Sequence, residues 1–392
     1  MKTSFDNTEV ALALKSNSEL NRALFLFEII RREPLIKIGS VITKISLKAH
    51  LPVEKLIRLT IFNHFCGGES EADCLAVIDK MYSKNVHSVL DFSVEGKKEE
   101  NQFEIAKNKI LKNIEFAKNN QAIPFIVFKP TAFGSINIFK KLTEGKLLNS
   151  GEKKQWNNIK NRYNQVCRKA YDCNVKVLID AEESWMQCAA DELAETMMSK
   201  YNRKSTTVYN TLQLYRHDRF DYLINLHKRA VKSDYNIGMK LVRGAYMEKE
   251  QERALKLGYN DPICKDKATT DSLFNQVIIY MIKNLNNMSI FTGTHNEEST
   301  YLVLKLMEEN NISIKDKRVW FGQLFGMSDH ISYNLAKCGY NVAKYLPYGP
   351  VRDVIPYLLR RADENISITG QTSRELDLIK KEIKRRKVKI KS

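Results

Sequence analysis

Apolar residues in the first part of the chain recur every three or four positions, which is the spacing of amphipathic helices. This pattern predicts helices over residues 19–30 and 53–64 and, after the Gly67–Gly68 pair, a third over 71–84. Residues 1–85 are therefore predicted to form an N-terminal helical segment.

The pattern changes after residue 85, where short apolar, β-branched runs alternate with longer charged segments of helical character. The runs occupy residues 87–94, 124–131, 175–181, 206–214, 237–245, 289–294, 318–324 and 340–346. Strands alternating with helices imply a parallel sheet with crossover helices, and eight such units closing on themselves form a (βα)8 barrel of the TIM type. The connections 136–171 and 248–285 exceed one helix, so extra helices and some distortion of the barrel are expected there.

The predicted organisation has three parts: helices over 1–85, a catalytic barrel over 86–370, and a basic C-terminal helix or tail over 371–392. With 392 residues and 43% hydrophobic content, the chain is long enough for one large globular domain with accessory segments. No second catalytic domain is predicted.

The net charge of +17 changes this picture only at the C-terminus, where residues 380–391 hold eight Lys or Arg and one Glu. The remaining charge is spread along the chain and no nucleic-acid motif accompanies it, so no nucleic-acid partner is predicted. The seven cysteines include no CxxC pair, which favours reduced thiols over disulfides and predicts no metal site. The N-terminus lacks an apolar targeting core, which predicts a cytoplasmic protein. The basic tail is predicted to make peripheral contact with an anionic membrane.

Candidate chemistry lies at the carboxyl ends of the predicted strands, where barrel enzymes bind their substrates. The polar residues at these ends are Asp91, Glu95, Lys129, Asp180, Glu182, Gln213, Lys240, Arg243, His295, Gln323, Lys344 and Tyr345. Lys129 and Lys240 interrupt apolar runs, and a buried lysine needs an anionic partner or a functional task. Asp180 could pair with either of them.

Five segments at these strand ends resemble the proline dehydrogenase family, in its monofunctional FAD-dependent form. They are FKPTAFG at 128–134, LIDAEES at 178–184, KLVRGAY at 240–246, GTHNEES at 293–299 and YLPYGPVRDVIPYLLRRADEN at 345–365. They occur in the order of the family, and the resemblance runs from about residue 87 to 368. It implies a barrel that binds FAD in its mouth.

On the cofactor side, the resemblance implies that Lys240 lies beside flavin N5, where bifunctional bacterial relatives carry arginine. It also implies that backbone at Gly244 and Ala245 approaches the cofactor, and that Glu364 orients nearby arginines or contacts the cofactor. The positions that would hold the ring edge, pyrophosphate or ribose of the flavin are Gln213, Arg243, His295 and Gln323.

On the substrate side, Arg360 and Arg361 resemble the pair that binds the proline carboxylate, with Lys129 as a third cation. The positions that resemble the aromatic walls around the ring are Tyr246 and Tyr345. Asp180 is implied near the same centre, and Glu95 is implied as a partner of Arg360.

The reaction that the resemblance implies is oxidation of L-proline to 1-pyrroline-5-carboxylate, with a quinone as the final electron acceptor. A separate pyrroline-carboxylate dehydrogenase would then process the product. Two alternatives remain at this point. Lys129 or Lys240 could form a Schiff base in an aldolase, or the chain could be a basic, non-enzymatic scaffold for nucleic acid.

Overall fold

The computed structural model describes residues 3–32, 54–92, 99–367 and 371–391. Eight strands form a closed barrel in sequence order, and the strand pairs with a defined register are parallel. The strands are β1 Val86–Phe92, β2 Phe125–Phe128, β3 Lys176–Ile179, β4 Val208–Gln213, β5 Ile237–Val242, β6 Met288–Gly293, β7 Val319–Leu324 and β8 Val342–Tyr348. The predicted (βα)8 barrel is confirmed.

Helices connect the strands and precede the barrel. Those before β1 are α1 Thr8–Ala11, α2 Asn17–Ile30, α3 Glu54–Ile57, α4 Asn63–Phe65 and α5 Glu71–Tyr82, with a π-helical turn Arg58–Phe62 between α3 and α4. From β1 to β5 they are α6 Glu100–Ala117, α7 Ile136–Thr143, α8 Ser150–Asp172, α9 Ser184–Tyr201 and α10 Arg219–Lys232. After β5 they are α11 Met247–Leu257, α12 Lys267–Lys283, α13 Glu297–Glu309, α14 Asp329–Lys337, α15 Val351–Ser367 and α16 Gln371–Lys391.

The predicted strands all form, although several are shorter than the apolar runs that announced them. The run 237–245 ends as a strand at Val242, because Gly244 has a φ of +138°, outside the extended region. The two long connections contain a pair of helices each, α7 with α8 and α11 with α12, as expected from their length.

Aromatic side chains fill part of the barrel interior. The ring of Phe125 contacts Tyr209, Phe291 and Trp320 edge to face, with centroids 5.7, 5.2 and 4.9 Å apart. The ammonium group of Lys176 lies over the rings of Phe125 and Trp320. Phe125, Lys176, Tyr209 and Trp320 are each the first or second residue of their strand, so this cluster lies toward the amino ends of β2, β3, β4 and β7.

The chain divides into two compact units, Met1–Glu95 with Gly322–Ser392, and Gly96–Phe321. In the first unit, α2, α4, α15 and α16 share one hydrophobic core, to which Phe27, Phe65, Val354, Leu358 and Ile379 contribute. The division into three parts at 85/86 and 370/371 stays a prediction. The packing shows that the first and last segments of the chain are built around common apolar contacts.

The basic segment at the C-terminus is part of helix α16 and is attached to the N-terminal helices. Arg386 donates hydrogen bonds to the carbonyl oxygens of Leu12 and Lys15, at 2.9 and 2.8 Å, and to Glu382 at 2.7 Å. Lys380 pairs with Glu28 at 2.7 Å. Part of this basic charge is therefore paired with carboxylates of the protein itself.

All seven cysteines are free thiols in the structure. In the described part of the chain, no helix combines the length and apolar character needed to cross a membrane.

Candidate active site

An ion pair between Lys240 and Asp180 forms the centre of the candidate site. Leu178 lies opposite Tyr209, and Tyr209 lies opposite Gly238. Asp180 and Lys240, each two residues further on, therefore face the same side of the sheet. The Nζ atom of Lys240 donates a hydrogen bond to Oδ1 of Asp180, and Lys240 is only 5% exposed. The sequence left Lys129 and Lys240 as possible partners of Asp180, and the structure describes the ion pair with Lys240.

Lys129 lies directly after β2 and is half-buried. The chain turns at once into a short 3-10 helix, Pro130–Ala132, in which the amide of Ala132 donates to the carbonyl of Lys129 at 2.9 Å. The carboxylate of Glu182 accepts bonds from this turn, from the amide of Thr131 at 2.9 Å and from its hydroxyl at 2.7 Å. Burial raises the pKa of Glu182 to about 7, and the positive charge of Lys129 opposes that rise.

Gln213 ends β4 with a buried side chain. Its Nε2 atom is 3.5 Å from the hydroxyl of Tyr215, and its Oε1 atom has no hydrogen-bond partner among the described residues. The neighbouring Gly244 is constrained as well, since a Cβ there would lie 2.5 Å from ring carbons of Tyr215. The positive φ and the close ring of Tyr215 therefore both favour glycine at position 244.

Arg243 follows β5 and is held rigidly. Its guanidinium donates to Asp271 at 2.7 Å, to Thr294 at 2.8 Å and to Ser299 at 3.0 Å, and it lies 4.4 Å above the ring of Phe274. These contacts use three of the five N–H donors of an arginine. The remaining two donors have no hydrogen-bond partner among the contacts described for this side chain.

The other predicted residues of this unit lie along the same strand ends. Ala245 is exposed and Tyr246 is half-buried immediately before α11, with the ammonium of Lys249 at 5.9 Å from the Tyr246 ring. His295 is half-buried after β6.

In the first unit, Gln323 and Tyr345 are both buried. The Oε1 atom of Gln323 accepts a bond from the hydroxyl of Ser332 at 2.9 Å, and the carbonyl of Tyr345 accepts one from the amide of Phe325. Lys344, also a strand-end candidate, pairs with Asp329 at 2.8 Å, and its side chain is completely buried. Because adjacent residues of a strand face opposite sides of the sheet, the side chains of Lys344 and Tyr345 lie in different environments.

Four predicted site residues cannot be compared in this way. Glu95 lies outside the described residues. Arg360, Arg361 and Glu364 belong to helix α15, but their side chains lie outside the described part of the structure.

A buried hydrogen-bond network that the sequence did not reveal reaches the loop after β3, next to Asp180. Asp191 on α9 accepts hydrogen bonds from Gln187 and Asn210, both at 2.8 Å, and from Arg219 at 2.7 Å. Gln187 in turn accepts a bond from the amide of Glu182 at 3.0 Å. Only Glu182 had a sequence signal, since it stands two residues after Asp180 at a strand end.

Comparisons with known proteins identify the family of this chain. The model of the proline dehydrogenase family matches residues 74–374. The carbapenem antibiotics biosynthesis protein CarD of Pectobacterium carotovorum is 34% identical over 324 residues, 83% of this chain and 84% of that protein. Hydroxyproline dehydrogenase of Xenopus laevis is 30% identical over 411 residues, 95% of this chain and 88% of that one.

Other relatives are considerably longer than this chain. Human mitochondrial proline dehydrogenase 1 is 37% identical over 238 residues, which are 60% of this chain and 40% of the human protein. The crystal structure of proline utilization A from Bdellovibrio bacteriovorus covers 93% of this chain with a TM-score of 0.71, and this chain covers 37% of it. At 21% sequence identity, this likeness supports the barrel fold. The extent of the family match and the similarity to full-length relatives are decisive: the chain belongs to the proline dehydrogenase family and is an enzyme.

Proposed function

We propose that this enzyme oxidises L-proline to 1-pyrroline-5-carboxylate with FAD as its cofactor and passes the electrons to a quinone. The observation that carries the proposal is the buried Lys240–Asp180 pair at the strand ends, within the motif that resembles the family. Neither the aldolase nor the nucleic-acid scaffold explains why this pair occurs inside a family match over residues 74–374.

The residues present fit a flavin in two respects. The buried Oε1 atom of Gln213 lacks a partner among the described residues, so a ligand with an N–H edge, such as an isoalloxazine ring, would satisfy it. Arg243 is fixed by three protein contacts and keeps donors for an anionic group such as a pyrophosphate. His295, Gln323, Ala245 and Glu364 complete the proposed cofactor set. When bound, FAD supplies a hydride acceptor.

The chain itself would bind and orient the substrate. Arg360, Arg361 and Lys129 are proposed to bind the carboxylate, with Glu95 pairing with Arg360, while Tyr246 and Tyr345 flank the ring. Lys240 would place a positive charge where negative charge develops, and Asp180 would keep that ammonium in place. The ring nitrogen must be neutral for its lone pair to assist the loss of hydride. We assign no base to its proton, which solvent can take.

The first test is a visible spectrum of the purified protein before and after anaerobic addition of L-proline. We expect visible flavin absorption bands that L-proline bleaches, because reduction of the flavin by the substrate removes them. A colourless protein that also fails to bind added FAD would contradict the proposal.

Similarity to a hydroxyproline dehydrogenase makes 4-hydroxyproline a second candidate substrate. Tyr345 favours proline, since the resemblance places a large aromatic side chain against the ring there, and relatives that use hydroxyproline carry a smaller residue. We expect Tyr345→Ser to raise the ratio of kcat/KM for hydroxyproline over proline. Equal use of both substrates by the unaltered enzyme would refute this assignment, and Tyr345→Phe, which keeps the ring, serves as the control.

A quinone acceptor resides in a bilayer, so we also propose reversible contact of α16 with an anionic membrane. Lys384 and Lys387 are exposed on this helix, whereas Arg385 and Arg386 are bonded to Glu382. Each lysine near an anionic leaflet contributes about 1 kcal/mol. The product would pass to a separate pyrroline-carboxylate dehydrogenase.

Charge reversal tests this contact without removing the helix. We expect Lys384→Glu/Lys387→Glu to reduce co-sedimentation with phosphatidylserine vesicles about tenfold or more at low salt. The matched control is Lys315→Glu/Lys317→Glu, which makes the same charge change at exposed positions before β7. If both double variants sediment like the unaltered protein, α16 does not bind the membrane.

A further inference from the structure

Glu182 is a buried carboxyl group to which the family resemblance assigns no role. It is 6% exposed and lies in the loop after β3. Both of its oxygens are used on a single neighbour, Thr131, whose amide and hydroxyl donate to it at 2.9 and 2.7 Å. Thr131 is the middle residue of the 3-10 turn Pro130–Ala132, which begins immediately after Lys129. Glu182 therefore holds the turn that directs Lys129.

The position of Glu182 is itself determined by the network behind it. Its amide donates to Gln187, and Gln187 is bonded to Asp191. Asp191 is anchored by Arg219 from α10 and by Asn210 from β4. A chain of buried hydrogen bonds thus reaches from α10 to the turn after β2, although Oδ1 of Asn210 and Nε of Arg219 have no partner among the described residues. Such a chain restricts the positions that Glu182 and Gln187 can take.

The surroundings of Glu182 also couple it to Lys129 through charge. Burial raises the pKa of the Glu182 carboxyl to about 7. The positive charge of Lys129 opposes this shift, and the negative charge of Glu183 adds to it. The hydroxyl of Tyr163 on α8 also senses the Glu182 charge. Because the interaction is mutual, a charged Glu182 stabilises the ammonium form of Lys129.

We propose that Glu182 is a positioning residue that acts through Lys129: it holds the turn at residues 130–132 and keeps the Lys129 ammonium charged and directed toward the substrate carboxylate. The identity of that substrate rests on the proposed function. The fixed turn and the coupling to Lys129 rest on the contacts of Glu182 alone.

Two variants separate the contact from the charge. Glu182→Gln can keep both bonds, since the amide oxygen accepts from the Thr131 amide and the amide nitrogen donates to the Thr131 hydroxyl, but it removes the charge. Thr131→Val removes the hydroxyl contact and leaves the charge. Glu195→Gln is the matched control, because Glu195, on the helix α9 that follows Glu182, also accepts side-chain hydrogen bonds, from Arg229 and Tyr235.

Two measurements do not depend on turnover: the rate at which an amine-specific acylating reagent modifies Lys129, read by mass spectrometry, and amide hydrogen exchange over residues 130–133. We expect Glu182→Gln to accelerate acylation of Lys129 about tenfold, since loss of a nearby opposite charge typically shifts the pKa of an ammonium group down by about one unit or more. Thr131→Val should instead accelerate exchange in the turn. The control should change neither.

A third measurement, steady-state kinetics with L-proline, tests whether Glu182 affects substrate binding through Lys129. We expect both variants to raise KM several-fold with a smaller change in kcat, because a cation that binds the carboxylate would be displaced or less charged. If acylation, exchange and KM in both variants equal those of the control, the proposal is overturned. If the unaltered enzyme does not oxidise proline, the proposed function fails, and the first two measurements still decide the role of Glu182.

Discussion

Replacing Lys240 by methionine is expected to lower kcat for L-proline at least a hundredfold while the protein remains folded. Methionine is close to lysine in shape but cannot donate to Asp180 or supply positive charge where the acceptor becomes negative. Loss of one such electrostatic contact in an active site typically costs a factor of about 10² to 10³ in kcat. Steady-state kinetics with L-proline and flavin quantitation measure the effect, and kcat near that of the unaltered enzyme would exclude Lys240 from the chemistry.

Two further variants separate catalysis from stability in this experiment. Lys240→Arg keeps the charge and should retain much of the activity, as expected from relatives that carry arginine there. Lys240→Met/Asp180→Asn removes both charges. Because an unpaired buried charge is destabilising, the double variant should unfold at a higher urea concentration than Lys240→Met, yet remain as inactive.

Arg360→Ala and Arg361→Ala are each expected to raise KM for L-proline at least tenfold with little change in flavin content. The two guanidinium groups are proposed to bind the substrate carboxylate, and losing one member of a buried charge pair typically costs about 2–5 kcal/mol. Arg352→Ala on the same helix is the matched control, since Arg352 is exposed in its first turn. Two alanine variants with the KM of this control would refute the proposed carboxylate site.

The fold followed from local patterns because each strand carries its own signal. Runs such as PFIVFKPT and VKVLIDA are apolar, short and bounded by turn residues, and the barrel buries them in sequence order. Lys129, Asp180 and Lys240 could be singled out for the same reason: a charged residue at the end of an apolar strand is conspicuous in any register. The exact strand ends were less predictable. The strand β5 ends before Gly244, whose positive φ is not specified by the apolar pattern of the run itself.

The partners of these charges were decided only by the tertiary structure. The sequence left Asp180 open to two lysines, and the register of β3, β4 and β5 brings it to Lys240. Asp191 and Arg219 are 28 positions apart, on helices whose local patterns carry no sign that they meet. The cationic residues of α16 had no visible partners in the sequence, yet the fold brings Glu28 to Lys380. The periodicity of apolar residues along a chain specifies which face of a helix or strand is buried. Which of two lysines pairs with a carboxylate depends instead on the distances between side chains, and these are defined only when elements distant in sequence pack together.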